Sequence, residues 1–100
     1  MKLKKEKTDR LLTVKIEGSL DVKTSPQLAE ALEGEPEDAD MVVFDLKDTA
    51  YTSSAGLRVI LQVYQEMHKK GGRMVLRNVN QDFKTILTEA GFTRFLEIEE

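Results

Sequence analysis

The chain has 100 residues, 40% hydrophobic and 33% charged, with a formal net charge of −3 and no cysteine. This is enough for one small domain with one core and has an ordinary globular composition. It excludes a disulfide framework and thiolate chemistry, offers no apolar run to span a membrane, and suits nucleic acid poorly, because that affinity comes from neutralising phosphates.

Met1-Lys2-Leu3-Lys4-Lys5 carries no apolar secretory segment, so a cytoplasmic location is expected. Leu3 to Lys7 reads as a first strand, turned at Thr8-Asp9. Leu12, Val14 and Ile16 then alternate with Thr13, Lys15 and Glu17, the period-two pattern of a strand with one apolar face, and Gly18-Ser19 breaks it. Lysines on the first strand would blunt an exposed edge.

Thr24-Ser25-Pro26 opens a helix, with a hydroxyl for the cap and proline at the first position. Leu28, Ala31 and Leu32 share its apolar face, and Gly34 and Pro36 stop it. Five of the first ten residues are basic, and Glu33 to Asp40 carries five acids. Each stretch reads either as a solvated edge or as a surface for a partner.

Met41-Val42-Val43-Phe44 is a continuous apolar run, as in a strand covered on both faces. After Ser54 comes a longer helix with Leu57, Ile60, Leu61, Tyr64 and Met67 on one stripe, and Lys69-Lys70-Gly71-Gly72 as its stop. Met74-Val75-Leu76 reads as a core strand. Asn80 caps a third helix with the stripe Phe83, Ile86, Leu87 and Ala90 and the stop Gly91. Phe95 to Ile98 reads as a short edge strand. Parallel strands joined by right-handed helical crossovers follow. The fold class expected is α/β: a mixed, partly parallel sheet of four to five strands with three to four helices, one domain over residues 1–100.

The segment Asp45 to Arg58 follows a buried strand and opens a helix, where α/β sheets collect function. It is crowded with hydroxyls, and a helix N-terminus suits a phosphate. Ser and Thr at such a place also serve simply as caps.

Gly18-Ser19-Leu20-Asp21, Val43-Phe44-Asp45-Leu46 and above all Ser53-Ser54-Ala55-Gly56-Leu57 resemble a STAS domain, and are most similar to bacterial anti-sigma factor antagonists. The resemblance extends from Leu11 onward. It implies a non-enzymatic binding module without cofactor or metal. Its partner would be an anti-sigma factor that is also a serine kinase, which uses ATP to phosphorylate one serine and so loses its grip; a serine phosphatase would restore it. Matching Gly56-Leu57 places that serine at Ser54. The commonest family form is Asp-Ser-Ser-Gly; here Ser53 stands at the Asp position and Ala55 follows Ser54, which leaves Ser53 as a second acceptor. The implied partner surface is Asp21, Thr24, Thr52, Ser53, Ser54, Gly56, Leu57 and Arg58. Asp21 reads equally as a cap of the first helix. A monomer or weak dimer is expected. The alternative is a STAS scaffold or regulatory subunit of a stress-signalling or transporter complex, without phosphorylation.

Other chemistries fit worse. A nucleophile elbow would need Gly where Thr52 stands. His68 lies about 21 Å along a helix from Ser54, far beyond the reach of a general base. One histidine and no cysteine make a poor zinc site, and no P-loop is present. Asp45 and Asp48 as a metal pair compete with plain loop acids. A core this small leaves little room for a ligand pocket of about 300 Å³ or more.

Overall fold

The computed structural model describes residues 1–99; Glu100 lies outside them. Strands β1 (Lys2–Thr8) and β2 (Leu11–Leu20) form an antiparallel hairpin with Thr8 opposite Leu11. Asp9 takes the left-handed backbone of the turn, which Asp tolerates. Leu12, Val14 and Ile16 are buried, as their alternation requires.

Gly18-Ser19 does not end the second strand. Gly18, at φ 106°, absorbs a kink while its N–H donates to Asp48 O at 3.0 Å. At that kink β2 changes partner. Its first half pairs in parallel with β3 (Met41–Asp45), and its end pairs in parallel with β4 (Thr49–Thr52). Strands β5 (Arg73–Arg77) and β6 (Glu97–Glu99) extend the parallel part. The sheet order is β1-β2-β3-β5-β6, with β4 attached to β2. The fold class is the expected α/β with a mixed sheet; β4 is the strand that the pattern did not announce.

Three α-helices complete the fold: α1 (Ser25–Ala31), α2 (Ser54–Lys69) and α3 (Gln81–Glu89). Two 3-10 turns occupy Glu35–Asp38 and Phe92–Arg94. Asn80 caps α3 as expected, its Oδ1 accepting from Phe83 N–H at 2.8 Å. Thr24 does not cap α1; its hydroxyl is engaged elsewhere. The buried stripe of α2 is Leu57, Val59, Ile60, Val63 and Met67, with Leu61 and Tyr64 only half-buried. It is rotated from the expected stripe because α2 packs against α1 and the Glu35–Asp38 turn as well as the sheet. Ala90 is exposed, since it already lies beyond the end of α3.

The core holds the helix residues together with Leu12, Val14, Ile16, Val42, Phe44, Met74 and Leu76, all from one face of the sheet. Val43 and Val75 are buried but belong to the other face, where no helix lies among the described residues. The strand expected to be covered on both faces is therefore covered on one. On the bare face Val43 and Val75 sit in register between Thr13 and Glu97. The next row is Lys15, Asp45, Arg77 and Glu99, and Arg73–Glu97 and Arg77–Glu99 ion pairs flank Val75. Long side chains with apolar stems can shield small apolar neighbours in this way.

The basic amino-terminal stretch and the acidic stretch before β3 face each other. Lys5 pairs with Glu35, Lys7 with Asp38 at 3.8 Å, and Arg10 with Asp40 at 2.9 Å. Such exposed pairs contribute about 0–1 kcal/mol each. Lys5 Nζ also donates to Ala31 O at the end of α1, at 2.8 Å. Lys70 Nζ donates to Pro36 O, Glu37 O and Ala39 O at 2.7–2.9 Å. A groove of about 760 Å³ between α1, the Glu35–Asp38 turn and α2 is floored by Leu32, Pro36, Val59 and Val63. It is larger than the pocket expected of so small a core because it is an open furrow between helices, outside that core.

Candidate functional site

The loop between β3 and α2 is stitched down before it reaches the helix. Thr49 is fully buried, and its Oγ1 donates to Ile16 O at 2.7 Å. Asn80 Nδ2 donates to Thr49 O at 3.0 Å. Ser53 N–H donates to Leu20 O at 2.8 Å, which ties the mouth of α2 to the end of β2. The short strand β4 thus sets Ser53 and Ser54 beside the loop that begins at Asp21.

The two serines have different surroundings. Ser53 is the N-cap of α2: its backbone is extended, and its Oγ accepts from Ala55 N–H at 3.2 Å. That geometry satisfies one of the free N–H groups of the first turn. Ser54 is the first helical residue, is exposed, and its hydroxyl has no hydrogen-bond partner among the described residues. The capping task expected of this cluster falls to Ser53 and leaves Ser54 free.

Beneath them the packing is tight. A Cβ on Gly56 would stand 2.3 Å from Thr52 Oγ1 and 2.8 Å from Leu20 Cβ. Only glycine lets the helix lie this close to the strand ends. Thr52, Gly56 and Leu57 are buried, so these three of the expected partner-facing residues form the floor of the site and not its surface. Thr52 is held there because its Oγ1 donates to Ser53 O at 3.1 Å under the helix.

The neighbouring loop is a closed hydrogen-bonded turn. Asp21 Oδ1 accepts from the N–H groups of Lys23 and Thr24, both at 2.9 Å. Asp21 N–H donates to Thr24 Oγ1 at 2.9 Å, and that hydroxyl donates to Ser19 O at 2.8 Å. Ser25 N–H donates to Asp21 O at 2.9 Å, so the turn runs directly into α1. The N–H of Thr24, foremost, holds the Asp21 carboxyl below its ordinary range. Asp21 therefore closes the turn ahead of α1 and does not cap the helix, whose N-cap position is held by Thr24 with no side-chain cap bond. The other carboxylate oxygen, Oδ2, has no hydrogen bond among the described residues.

Sequence reasoning passed over Val22 and Lys23. Val22 is 75% exposed at the tip of this turn, the most exposed large apolar side chain described. The signal was an apolar residue in an otherwise polar turn. Arg58, one helical turn beyond Ser54, is exposed and has no ion pair among the described residues. At the mouth of α2, Ser54 and Arg58 are thus exposed without polar partners; on the turn that follows Leu20, Asp21 Oδ2 also has none, and Val22 and Lys23 are exposed beside it.

The rival centres stay apart from this surface. His68 is exposed near the other end of α2 and stacks on Tyr64 with ring centres 5.5 Å apart. Asp45 Oδ1 accepts from Asn78 Nδ2 at 3.0 Å and from Lys47 N–H at 3.1 Å. The Asn78 amide, first, lowers the Asp45 pKa. Asp48 pairs with Lys15 at 3.6 Å. Among the described residues no three His, Cys, Asp or Glu side chains converge as a metal site would need, and no helix is long and apolar enough to cross a membrane.

Comparison with known proteins agrees with this architecture. The STAS domain family model matches residues 2–100. An anti-sigma F factor antagonist from Paenibacillus polymyxa is 32% identical over 92 residues, covering 88% of this chain and 77% of that protein. The anti-sigma factor antagonist SpoIIAA in its unphosphorylated form has the same fold, with a TM-score of 0.82, 15% identity, and 99% of this chain and 88% of that one covered. Its phosphorylated form gives a TM-score of 0.78 at 15% identity, with 97% and 90% covered. A sulfate transporter family protein from Wolinella succinogenes also shares the fold, with a TM-score of 0.78, 15% identity, and 89% and 75% covered. With its sheet, its three helices and its match over residues 2–100, the chain belongs to the STAS domain family, and its relatives include anti-sigma factor antagonists.

Proposed function

We propose that this chain, as a single cytoplasmic domain, binds an anti-sigma factor through the surface around Ser54 and is released by phosphorylation of that serine. The observation that carries the proposal is the contrast at the mouth of α2: Ser53 does the capping, while the Ser54 hydroxyl is exposed and without a partner. The relatives named as anti-sigma factor antagonists, at about 30% identity, support the choice of partner.

In the modification step, a partner kinase transfers the γ-phosphoryl group of ATP to Ser54 Oγ. The hydroxyl proton is lost and ADP leaves. The product carries about −1.5 to −2 charge at neutral pH. Within the chain that charge is tolerable at a helix N-terminus. Against a partner it introduces bulk, desolvation and repulsion. A loss of about 2–4 kcal/mol would weaken binding roughly 30- to 1000-fold. No change of fold is needed, since a local clash suffices. A serine phosphatase hydrolyses the ester and resets the surface. Ser53 is the second-choice acceptor, because phosphorylation there would first break its cap.

The test is affinity purification of the chain from its native cell, with phosphate mapped by mass spectrometry, followed by binding measurements on variants. Ser54→Ala is expected to keep the partner and Ser54→Asp to weaken it. Equal affinity of the two variants would overturn the switch. Recovery with a transporter or a stress-signalling assembly, and no phosphate at Ser54, would favour the scaffold reading.

A further inference from the structure

We infer that Arg58 is the clasp for a phosphate on Ser54, and that closing this clasp withdraws Arg58 from the docking surface. This rests on the proposed modification of Ser54 and adds what the phosphate does within the chain. Ser54 and Arg58 are four residues apart on α2 and both are exposed. Positions four apart on a helix lie on the same face. Long helical side chains lean toward the helix N-terminus, which brings the turn that Ser54 begins within reach of Arg58. An acid placed N-terminal to its base at this spacing is the favourable order. A planar guanidinium matches a phosphate with two parallel hydrogen bonds, which a lysine ammonium cannot do.

The remaining groups leave this role to Arg58. Arg10, Arg73 and Arg77 are each already paired with a carboxylate, and Arg94 stands next to Phe95, whose ring packs on Tyr64 much further along α2. Arg58 has no carboxylate partner among the described residues. The Ala55 N–H is taken by the Ser53 hydroxyl, so the helix end offers a phosphate less than an uncapped end would. On the adjoining loop stand Lys23, the competing cation, and Asp21, whose carboxylate repels a phosphate. Tyr51, half-exposed on β4, is the other ionisable group close in sequence. In the unmodified chain Arg58 is free to meet a carboxylate of the partner. After phosphorylation the same guanidinium is occupied. The signal then has two parts: a charge appears and an arginine is lost from the interface.

The experiment installs phosphoserine at position 54 by genetically encoded incorporation and follows the phosphate by phosphorus NMR through a pH titration of the full chain. Wild type, Arg58→Gln and Lys23→Gln are compared at low salt and at 1 M salt. A clasped phosphate loses its second proton more easily, so Arg58→Gln is expected to move that ionisation to higher pH, with Lys23→Gln close to wild type. The difference should shrink at high salt. Phosphorylated wild type should also melt about 3 °C above phosphorylated Arg58→Gln. Without the phosphate, the melting difference should be about 1 °C or less. An ionisation unchanged by Arg58→Gln, or one moved instead by Lys23→Gln, would overturn the clasp. Because the phosphate is installed directly, the result does not depend on any partner. A phosphorylated chain that still binds the anti-sigma factor as tightly as the unmodified one would sink the switch and, with it, the withdrawal of Arg58 from docking, and would leave the clasp itself to stand on the NMR result.

Discussion

The two ends of α2 face the same physical problem and treat it in opposite ways. Around its C-terminal end, backbone carbonyls of the neighbouring segments are taken up by lysines of the chain. Lys70 donates to Pro36 O, Glu37 O and Ala39 O, of which Pro36 O also accepts from Ala39 N–H, and Lys5 donates to Ala31 O at the end of α1. Charge there is committed to holding the fold. At the N-terminal end the ground is held equally firmly, by Thr49 on Ile16, Ser53 on Leu20 and the close approach of Gly56. Yet Ser54, Arg58, Val22 and one oxygen of Asp21 are left without partners. A docking surface needs this combination, because groups already ordered and still unsatisfied cost less to bind.

The comparison can be broken most strongly at the floor of the site. Gly56→Ala drives a methyl group into Thr52 Oγ1 and Leu20 Cβ. Overpacking of this kind costs about 2–3 kcal/mol, or a melting temperature lower by roughly 10–20 °C for a chain of this size. A variant within about 0.5 kcal/mol of wild type in urea unfolding would show that the floor is soft. The next effect lies at the other end of α2. Lys70→Met keeps an apolar stem but removes three charge-assisted hydrogen bonds. With water able to reach the exposed carbonyls, the loss should be about 1–2 kcal/mol. Partner affinity should stay unchanged, since the substitution is remote from Ser54; an equal loss in both measurements would join the two ends that the structure separates.

Much of this contrast could be read from the chain before it was folded, and the unread part has a physical reason. The alternation at Leu12, Val14 and Ile16 and the cap at Asn80 are local signals and were legible. So was a hydroxyl-rich helix mouth. What local pattern could not reveal was β4. Thr49–Thr52 has no apolar alternation, and its strand character comes from pairing with the end of β2 some thirty residues earlier. Without β4, Thr52 reads as a surface hydroxyl, whereas the pairing turns it inward. The bare face of the sheet was hidden for a similar reason. Val43 and Val75 look like residues under a helix, yet they are buried among neighbouring strands and charged rows. The division of labour between Ser53 and Ser54 depends on one residue of helix register, finer than sequence patterns resolve.

That division gives a smaller test. Ser53→Ala removes the cap on Ala55 N–H and should cost about 1 kcal/mol. Ser54→Ala removes no hydrogen bond and should fall within about 0.5 kcal/mol of wild type. Thermal melts of the two variants side by side check the order. If Ser54→Ala were the more destabilising, the hydroxyl would be structural and poorly placed to serve as a switch.

The smallest effect concerns Asp21, whose Oδ1 holds the turn ahead of α1 and whose other oxygen belongs to the proposed docking surface. Its folded pKa is depressed, chiefly by the Thr24 N–H. A depressed carboxyl contributes stability above its unfolded pKa of about 3.9 and loses that contribution as pH falls through the folded value. Asp21→Asn keeps an oxygen that can accept the Lys23 and Thr24 N–H groups but removes the titration. Asp45 and Glu97 are also depressed, but they are common to both proteins and cancel in the difference. The stability of wild type minus that of Asp21→Asn, measured by urea unfolding from pH 6 to pH 3, should therefore decline as the solution becomes more acid. A flat difference would mean that the turn needs only an acceptor and not a charge. In that case any loss of partner affinity in Asp21→Asn at neutral pH would have to come from the unbonded oxygen, Oδ2, and the two roles of this residue would be separated.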